Sequence, residues 1–205
     1  ATHLINHYSS PGGLVLDPMC GSGTTGVECL LHDRQGVLCD ISPLSLLLSR
    51  VKTTYLPTSK LTQQYHSILA AYPKVDASAY ADYPVGLRNA DHWFLPETAA
   101  SLRRIRAAID SVTEGPIRDF FLVVFSSVVR KVSRATTQQG RLFLDAVTAE
   151  EDALPAFKKR AESAISSVAK LPQNPEHTIR ILEKDARLLT RKDLPRPANL
   201  VILHP

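Results

Sequence analysis

Apolar residues follow two rhythms along the chain, and their order predicts an architecture. Two short apolar runs open it. Leu14-Val15-Leu16-Asp17, after the Gly12-Gly13 turn, and Gly36 to Ile41 both read as buried strands. Between them the glycine loop Met19-Cys20-Gly21-Ser22-Gly23 leads into Thr24 and Thr25. Their hydroxyls suit the free N–H groups of a first helical turn, and the predicted helix runs to about His32. Ser42-Pro43 starts another helix, with proline in its tolerated first-turn place. Strand, glycine loop, helix, strand, helix is a βαβ unit, which implies a parallel sheet with a right-handed crossover.

From about Lys60 to Leu171 helical spacing replaces the strand pattern. Leu102, Ile105, Ile109 and Val112 recur at helical intervals within 98–112, with Arg103, Arg104 and Arg106 interleaved. Ile117 to Val132 is apolar nearly all round and reads as a buried helix; Ala149 to Val168 reads as a charged amphipathic one. Residues 72–84 look like loop, and Asp91 to Phe94 like a packing cluster where a helix begins. Strand patterns return at Thr178 to Leu182 and, as a clean buried strand, at Asn199 to Leu203, just before His204-Pro205. A sheet edge is seldom left bare. The expectation is therefore a fragment, or half of a split protein.

Composition narrows the classes. The chain has 205 residues, 44% hydrophobic and 21% charged, which is too apolar for disorder. Its longest apolar runs, such as Phe120 to Phe125, are far shorter than the roughly 20 residues of a membrane span. Three cysteines are too few and too oddly numbered for a disulfide framework, so a cytoplasmic, reducing setting is expected; no leader opens the chain. The net charge of +4 is compatible with nucleic acid without establishing it. Residues 120–144 hold Arg130, Lys131, Arg134 and Arg141 and no acid. They read equally as a solvated helix end and loop or as a phosphate-contacting patch. The His and Cys residues lack zinc spacing, so no metal is expected.

The candidate chemistry lies at the first strand-to-helix junction. A glycine loop there lets backbone approach a ligand closely, and the helix N-terminus favours an anionic group. Asp40, closing the second strand, can accept both ribose hydroxyls of a nucleoside cofactor. A tight βα turn and a strand-end cap are the plainer alternatives.

The nine residues Asp17-Pro18-Met19-Cys20-Gly21-Ser22-Gly23-Thr24-Thr25 resemble the S-adenosylmethionine-binding motif of the DNA amino-methyltransferases, which methylate the exocyclic nitrogen of adenine or cytosine. The family form is Asp-Pro-Phe-x-Gly-Ser-Gly-Thr-Thr, and only Met19 departs. The resemblance extends upstream to His3-Leu4-Ile5 and Pro11-Gly12-Gly13, and downstream to Asp40-Ile41-Ser42-Pro43-Leu44. It covers residues 1–56 and 176–205. It implies an α/β, Rossmann-like core with a partial parallel sheet in the order 3-2-1-4. Residues 1–56 would form the cofactor-binding first half, 57–175 a large helical insertion with DNA-contacting surface, and 176–205 the return to the core. It implies S-adenosyl-L-methionine as methyl donor, held by Asp17 to Thr25, with Asp40 and Ile41 at the ribose and Asp185 and Ala186 at the adenine. The family's catalytic motif is Asp, Asn or Ser followed by Pro-Pro-Tyr/Phe. His204-Pro205 stands at its first half, with His204 departing from the usual residue types, although a neutral imidazole nitrogen can also accept a hydrogen bond.

The resemblance thus implies a site-specific DNA methyltransferase, often half of a restriction–modification system. Alternatives are an RNA base methyltransferase and a non-catalytic cofactor- or nucleic-acid-binding remnant. A nicotinamide-dependent dehydrogenase fits less well, since the loop lacks Gly-x-Gly-x-x-Gly. The isolated chain is expected to bind cofactor but to lack a complete base pocket and to be inactive. Its bare last strand is expected to favour self-association or a missing C-terminal half.

Overall fold

The computed structural model describes residues 1–81, 89–138, 141–144, 152–172 and 178–203. In chain order its elements are α1 (Thr2–Tyr8), β1 (Leu14–Asp17), α2 (Thr24–Leu31), β2 (Gln35–Asp40), α3 (Pro43–Thr53), α4 (Thr58–Ala71), α5 (Ala90–Trp93) and α6 (Pro96–Val112). There follow α7 (Gly115–Lys131), β3 (Ala135–Gln138), β4 (Arg141–Leu144), α8 (Ala153–Val168), β5 (Ile179–Glu183) and β6 (Leu200–Val201). The chain forms two compact units, one of Ala1–Tyr55 with Lys170–Pro205 and one of Leu56–Ala169.

The first unit is built on a four-stranded sheet in the order β5-β2-β1-β6 with every pair parallel, the 3-2-1-4 order expected of a methyltransferase core. β1 pairs β2 from Leu14↔Gln35 to Asp17↔Leu38, and β2 pairs β5 from Gly36↔Ile179 to Asp40↔Glu183. The C-terminal ends of three strands therefore share one edge. Leu14, Val15, Val37, Leu38 and Cys39 are buried, as the unbroken apolar runs require of strands covered on both faces. β6 is shorter than its apolar run: it pairs β1 over Leu200 and Val201, and Val201 is half-exposed. Asn199 extends that edge by exchanging two 2.8 Å bonds with Leu14, its side-chain oxygen accepting from the Leu14 N–H and its own N–H donating to the Leu14 carbonyl.

The opening helix α1 buries one residue, Ile5, in a cluster with Val15, Cys29 and Ile202. A buried cation secures it. Arg34, 6% exposed, donates to the carbonyls of Ser9 (2.6 Å), Ile5 (3.5 Å) and His32, and to Ser9 Oγ at 3.2 Å. Three of these four acceptors lie at the C-terminal end of α1, where helical carbonyls lack helical partners.

The second unit is helical, with α4, α6, α7 and α8 packed together around Leu61, Ile68, Leu102, Ile105, Ile109, Phe121 and Phe157, all fully buried. α7 differs from the all-round burial its composition suggests. Phe120, Phe121, Val124, Phe125 and Val128 face inward, whereas Ser126, Ser127, Arg130 and Lys131 are exposed, so the last two turns are amphipathic. α8 starts at Ala153 behind Asp152, whose carboxylate accepts the Leu154 N–H at 3.2 Å; residues 145–151 lie outside the described set. The antiparallel pair β3–β4, from Ala135↔Leu144 to Gln138↔Arg141, was not expected in this block. Phe94 is buried, as the packing reading of 91–94 required. Asp110 accepts from Tyr80 Oη (2.6 Å), Arg106 Nε and Arg118 Nε (both 2.7 Å). Burial raises its carboxyl, but these three donors outweigh burial and bring it below its usual range. Among the described residues no helix is long and apolar enough to cross a membrane.

Candidate cofactor site

The glycine loop leaves β1 at Asp17 and is braced at both ends. The buried Asp17 carboxylate accepts the Met19 N–H at 3.1 Å through one oxygen and the Thr25 hydroxyl at 2.5 Å through the other. The first acid of the motif thus ties the strand end to the first turn of α2. The helix cap differs from the sequence expectation. Gly23, at φ +76°, occupies the cap position and no side chain caps it, while Thr24 and Thr25 already lie inside the helix. A β-carbon on Gly23 would stand 2.6–2.9 Å from Ser49 on α3, including its backbone Cα, so only glycine allows the two helices this approach.

The loop is then sewn to the adjacent strand. The Cys20 N–H donates to the Cys39 carbonyl and the Gly21 N–H to Asp40 Oδ2, both at 2.9 Å, while Asp40 Oδ1 accepts the Ser42 N–H at 2.9 Å. Ser42 also caps α3, its hydroxyl accepting from the Ser45 N–H. Two side chains of α3 hold the loop from behind. The buried Ser49 donates its hydroxyl proton to the Gly21 carbonyl at 3.2 Å, and Lys52 Nζ donates to the Ser22 carbonyl at 2.9 Å. The sequence reading singled out neither. Their spacing puts both on one face of α3, but nothing in a sequence says that this face meets the loop.

Around this seam the surface has mixed character. Pro18, Cys20, Gly23 and Thr25 are buried, whereas Met19, Ser22, Thr24 and, most of all, Ile41 (68% exposed) are not. Asp185 follows β5 at the same sheet edge and caps a short 3₁₀ turn, Ala186–Leu188. Arg187 binds it bidentately at 2.6–3.1 Å and donates its backbone N–H at 2.9 Å, which holds the carboxyl down at about 2. Asp40, the loop and Asp185 thus share one edge, since Lys184 N–H donates to the Asp40 carbonyl at 3.1 Å and Cys39 Sγ to the Lys184 carbonyl at 3.0 Å. His204 and Pro205 lie outside the described residues, as does the Arg141 side chain. Arg130, Lys131 and Arg134 belong to the helical unit, and the Arg134 N–H donates to the Trp93 carbonyl.

The residues present fit a nucleoside cofactor. A carboxylate offers about four acceptor positions. The two N–H groups on Asp40 use one at each oxygen, leaving two for a vicinal diol. Gly21, at φ +51°, has nothing within 4 Å of where a β-carbon would sit, so the loop faces open space beside that carboxylate. The three thiols beneath are structural. Burial pushes Cys29 up to about 12 and raises Cys20 and Cys39 in the same direction. At pH 8 only about one Cys29 in 10,000 is thiolate, so iodoacetamide should leave it unlabelled in the folded protein and label it after denaturation. Mass spectrometry showing rapid native labelling would contradict the burial.

Two comparisons show what the chain is similar to. A family model described as DNA methylase matches residues 1–47, the span from α1 through the loop and Asp40 into α3. Residues 1–47 are thus similar to the N6/N4 DNA methylases. The chain is 31% identical over 132 residues to the type II methyltransferase M.MvaI of Kocuria varians, an alignment covering 62% of this chain and 29% of that protein. No solved structure matches the chain. Met19, the one departure from the nine-residue motif, is half-exposed.

Proposed function

We propose that the chain is the cofactor-binding part of a DNA methyltransferase that transfers a methyl group from S-adenosylmethionine to an exocyclic amino nitrogen of adenine or cytosine. The observation that carries this reading is the seam between Gly21 and Asp40. It places loop backbone, a half-satisfied carboxylate and open space together at the C-terminal edge of adjacent parallel strands, where open α/β sheets bind their ligands. Asp40 would hold the ribose diol with its two remaining acceptor positions. Residues 19–25 would lie along the methionine end, and Ile41 would give the adenine an apolar neighbour. Asp185 would accept from the adenine amino group, sharing its carboxylate with Arg187. When bound, S-adenosylmethionine supplies a methyl group activated by a sulfonium. The chain's own contribution is to fix that methyl in position, and positioning is a large part of the barrier reduction in such transfers. His204 and Pro205 are the proposed acceptors of the target amino hydrogens. Modification partner in a type II system, in the cytoplasm, is the setting this reading favours.

Calorimetry with S-adenosylmethionine tests the assignment. Asp40→Ala removes charge-assisted hydrogen bonds worth on the order of 1.5–3 kcal/mol, so the dissociation constant should rise about 10- to 150-fold. Unchanged affinity would remove Asp40 from the site.

A further inference from the structure

The acid-free basic stretch of the sequence begins on α7, and the fold brings a second set of cations to that helix. α7 and α8 pack side by side, and a groove of about 370 Å³ runs between them. Lys131 on α7 and Lys159 and Arg160 on α8 line it, with the hydroxyls of Ser127 and Ser163 between the charges. Its floor is apolar, made by Val128 and Ala156, both buried. Helical geometry explains the grouping. Positions 156, 159, 160 and 163 recur at the three- and four-residue intervals that share a helix face, as do 127, 128 and 131.

Among the described residues no acid lines the groove. Glu162, the one acid within α8, accepts the Tyr65 hydroxyl at 2.8 Å, and Asp119, the one acid of α7, lies in its second turn, well before the groove-lining residues. Arg160 Nε donates to Ser127 Oγ at 3.2 Å, so the guanidinium is drawn across from α8 towards α7. Its planar fork then presents further donors in a fixed orientation, the geometry that suits oxyanions. Three cations, two hydroxyls and a shallow open channel match a polyanion whose charges repeat, rather than a single buried anion.

We propose that the α7–α8 groove is a docking track for the phosphate backbone of duplex DNA, with Lys131, Lys159 and Arg160 each neutralising a phosphate and Ser127 and Ser163 donating to phosphate oxygens. This deepens the methyltransferase reading and rests on it for the choice of DNA. It changes the footprint suggested by the sequence: of Arg130, Lys131 and Arg134, whose side chains are described, only Lys131 lines the groove, and α8 supplies Lys159 and Arg160. The track carries no base-specific contact, so it sets register and affinity, not the target sequence.

The test uses the whole 205-residue chain and a fluorescein-labelled 20-base-pair duplex, with anisotropy titrations from 50 to 200 mM salt. K131A/K159A/R160A should lower the slope of log affinity against log salt by about 2.7, as three lost phosphate contacts require. The fourfold salt step should then cost the wild type about 40-fold more affinity than the variant. K60A/K74A/R104A removes the same charge from exposed positions outside the groove and should leave the slope within one unit of wild type. Circular dichroism checks that both variants fold; if the triple variant does not, K159A and R160A singly should each lower the slope by about 0.9. Equal losses in the groove and control variants, or a wild-type slope in the groove variant, would overturn the proposal. So would tighter binding to a hairpin RNA or to anionic phosphatidylserine vesicles than to the duplex at equal salt. Calorimetry with S-adenosylmethionine on the same samples separates the two readings. Cofactor binding without groove-dependent DNA binding overturns the track alone, and groove-dependent DNA binding without cofactor binding overturns the methyltransferase reading alone.

Discussion

Gly23→Ala is expected to unfold the loop–helix junction and abolish S-adenosylmethionine binding. Two costs combine. An L-residue at φ +76° carries about 1–2 kcal/mol of backbone strain. The new methyl would also meet Ser49 Oγ at 2.6 Å and Ser49 Cα at 2.7 Å, and the latter is backbone in the middle of α3 and cannot rotate away. Relief requires α2 and α3 to separate, which breaks the Ser49 bond to the Gly21 carbonyl. Overpacking of this kind typically costs 1–3 kcal/mol, so the total should reach about 3–4 kcal/mol. Gly12→Ala is the matched control, because Gly12 has φ +75° but open space around a β-carbon, and it should show the strain alone. Hydrogen exchange at the amides of Leu16 and Leu38 reads the first unit selectively. Equal protection loss in the two variants would show that the close approach to Ser49 does not matter.

Arg34→Met should be nearly as severe, for a different reason. The substitution keeps the length and apolar stem of the side chain but removes every donor. The Ser9 and His32 carbonyls lose the guanidinium, while the Ile5 carbonyl keeps the Ser9 N–H and hydroxyl as its donors. Losing charge-assisted bonds to several acceptors costs about 3 kcal/mol or more. The loss should fall first on α1, seen as faster exchange across residues 2–8 and earlier proteolysis near Tyr8. Arg34→Lys should recover only part of the stability, since one ammonium cannot span acceptors on both sides of a planar fork. Wild-type stability for Arg34→Met would refute the anchoring role.

The core and the glycine loop were legible because both depend on local signals. β1 and β2 are continuous apolar runs ending in acids, and the glycine loop falls between a run and a helical period, so strand, turn and helix announce themselves within 30 residues of sequence. β5 was harder to read, with the register Ile179 to Glu183 alternating only weakly, because it lies at the sheet edge and is nowhere fully buried. The β3–β4 pair escaped a reading that weighed the block for helix. Its cue is thin: Thr136 and Thr137, a Gln139-Gly140 turn dipeptide, then Arg141 to Leu144. Ser49, Lys52 and Arg34 were invisible for a stronger reason. Each acts through a carbonyl oxygen distant in sequence, and every residue has a carbonyl, so no residue pattern marks the acceptor. The same holds for Lys159 and Arg160, which read as an ordinary solvated helix face until α7 is laid beside α8.

That the unit Leu56–Ala169 lies in sequence between β2 and β5 also has a consequence during biosynthesis. At about 5–20 residues per second a ribosome needs roughly 6–20 s to pass through it. Throughout that time β1 and β2 have emerged, but the outer edge of β2, from Gly36 to Asp40, has no neighbour, because its partner Ile179–Glu183 is not yet made. The helical unit can complete itself in this interval, its contacts being local to its own stretch. The nascent half-sheet cannot, and it displays an unpaired edge beside Val37, Leu38 and Cys39, the kind of surface that chaperones hold and stray strands invade. The strand that ends in Asp40 is thus among the first parts of the sheet to be synthesised, and its outer edge stays open until Ile179–Glu183 is made.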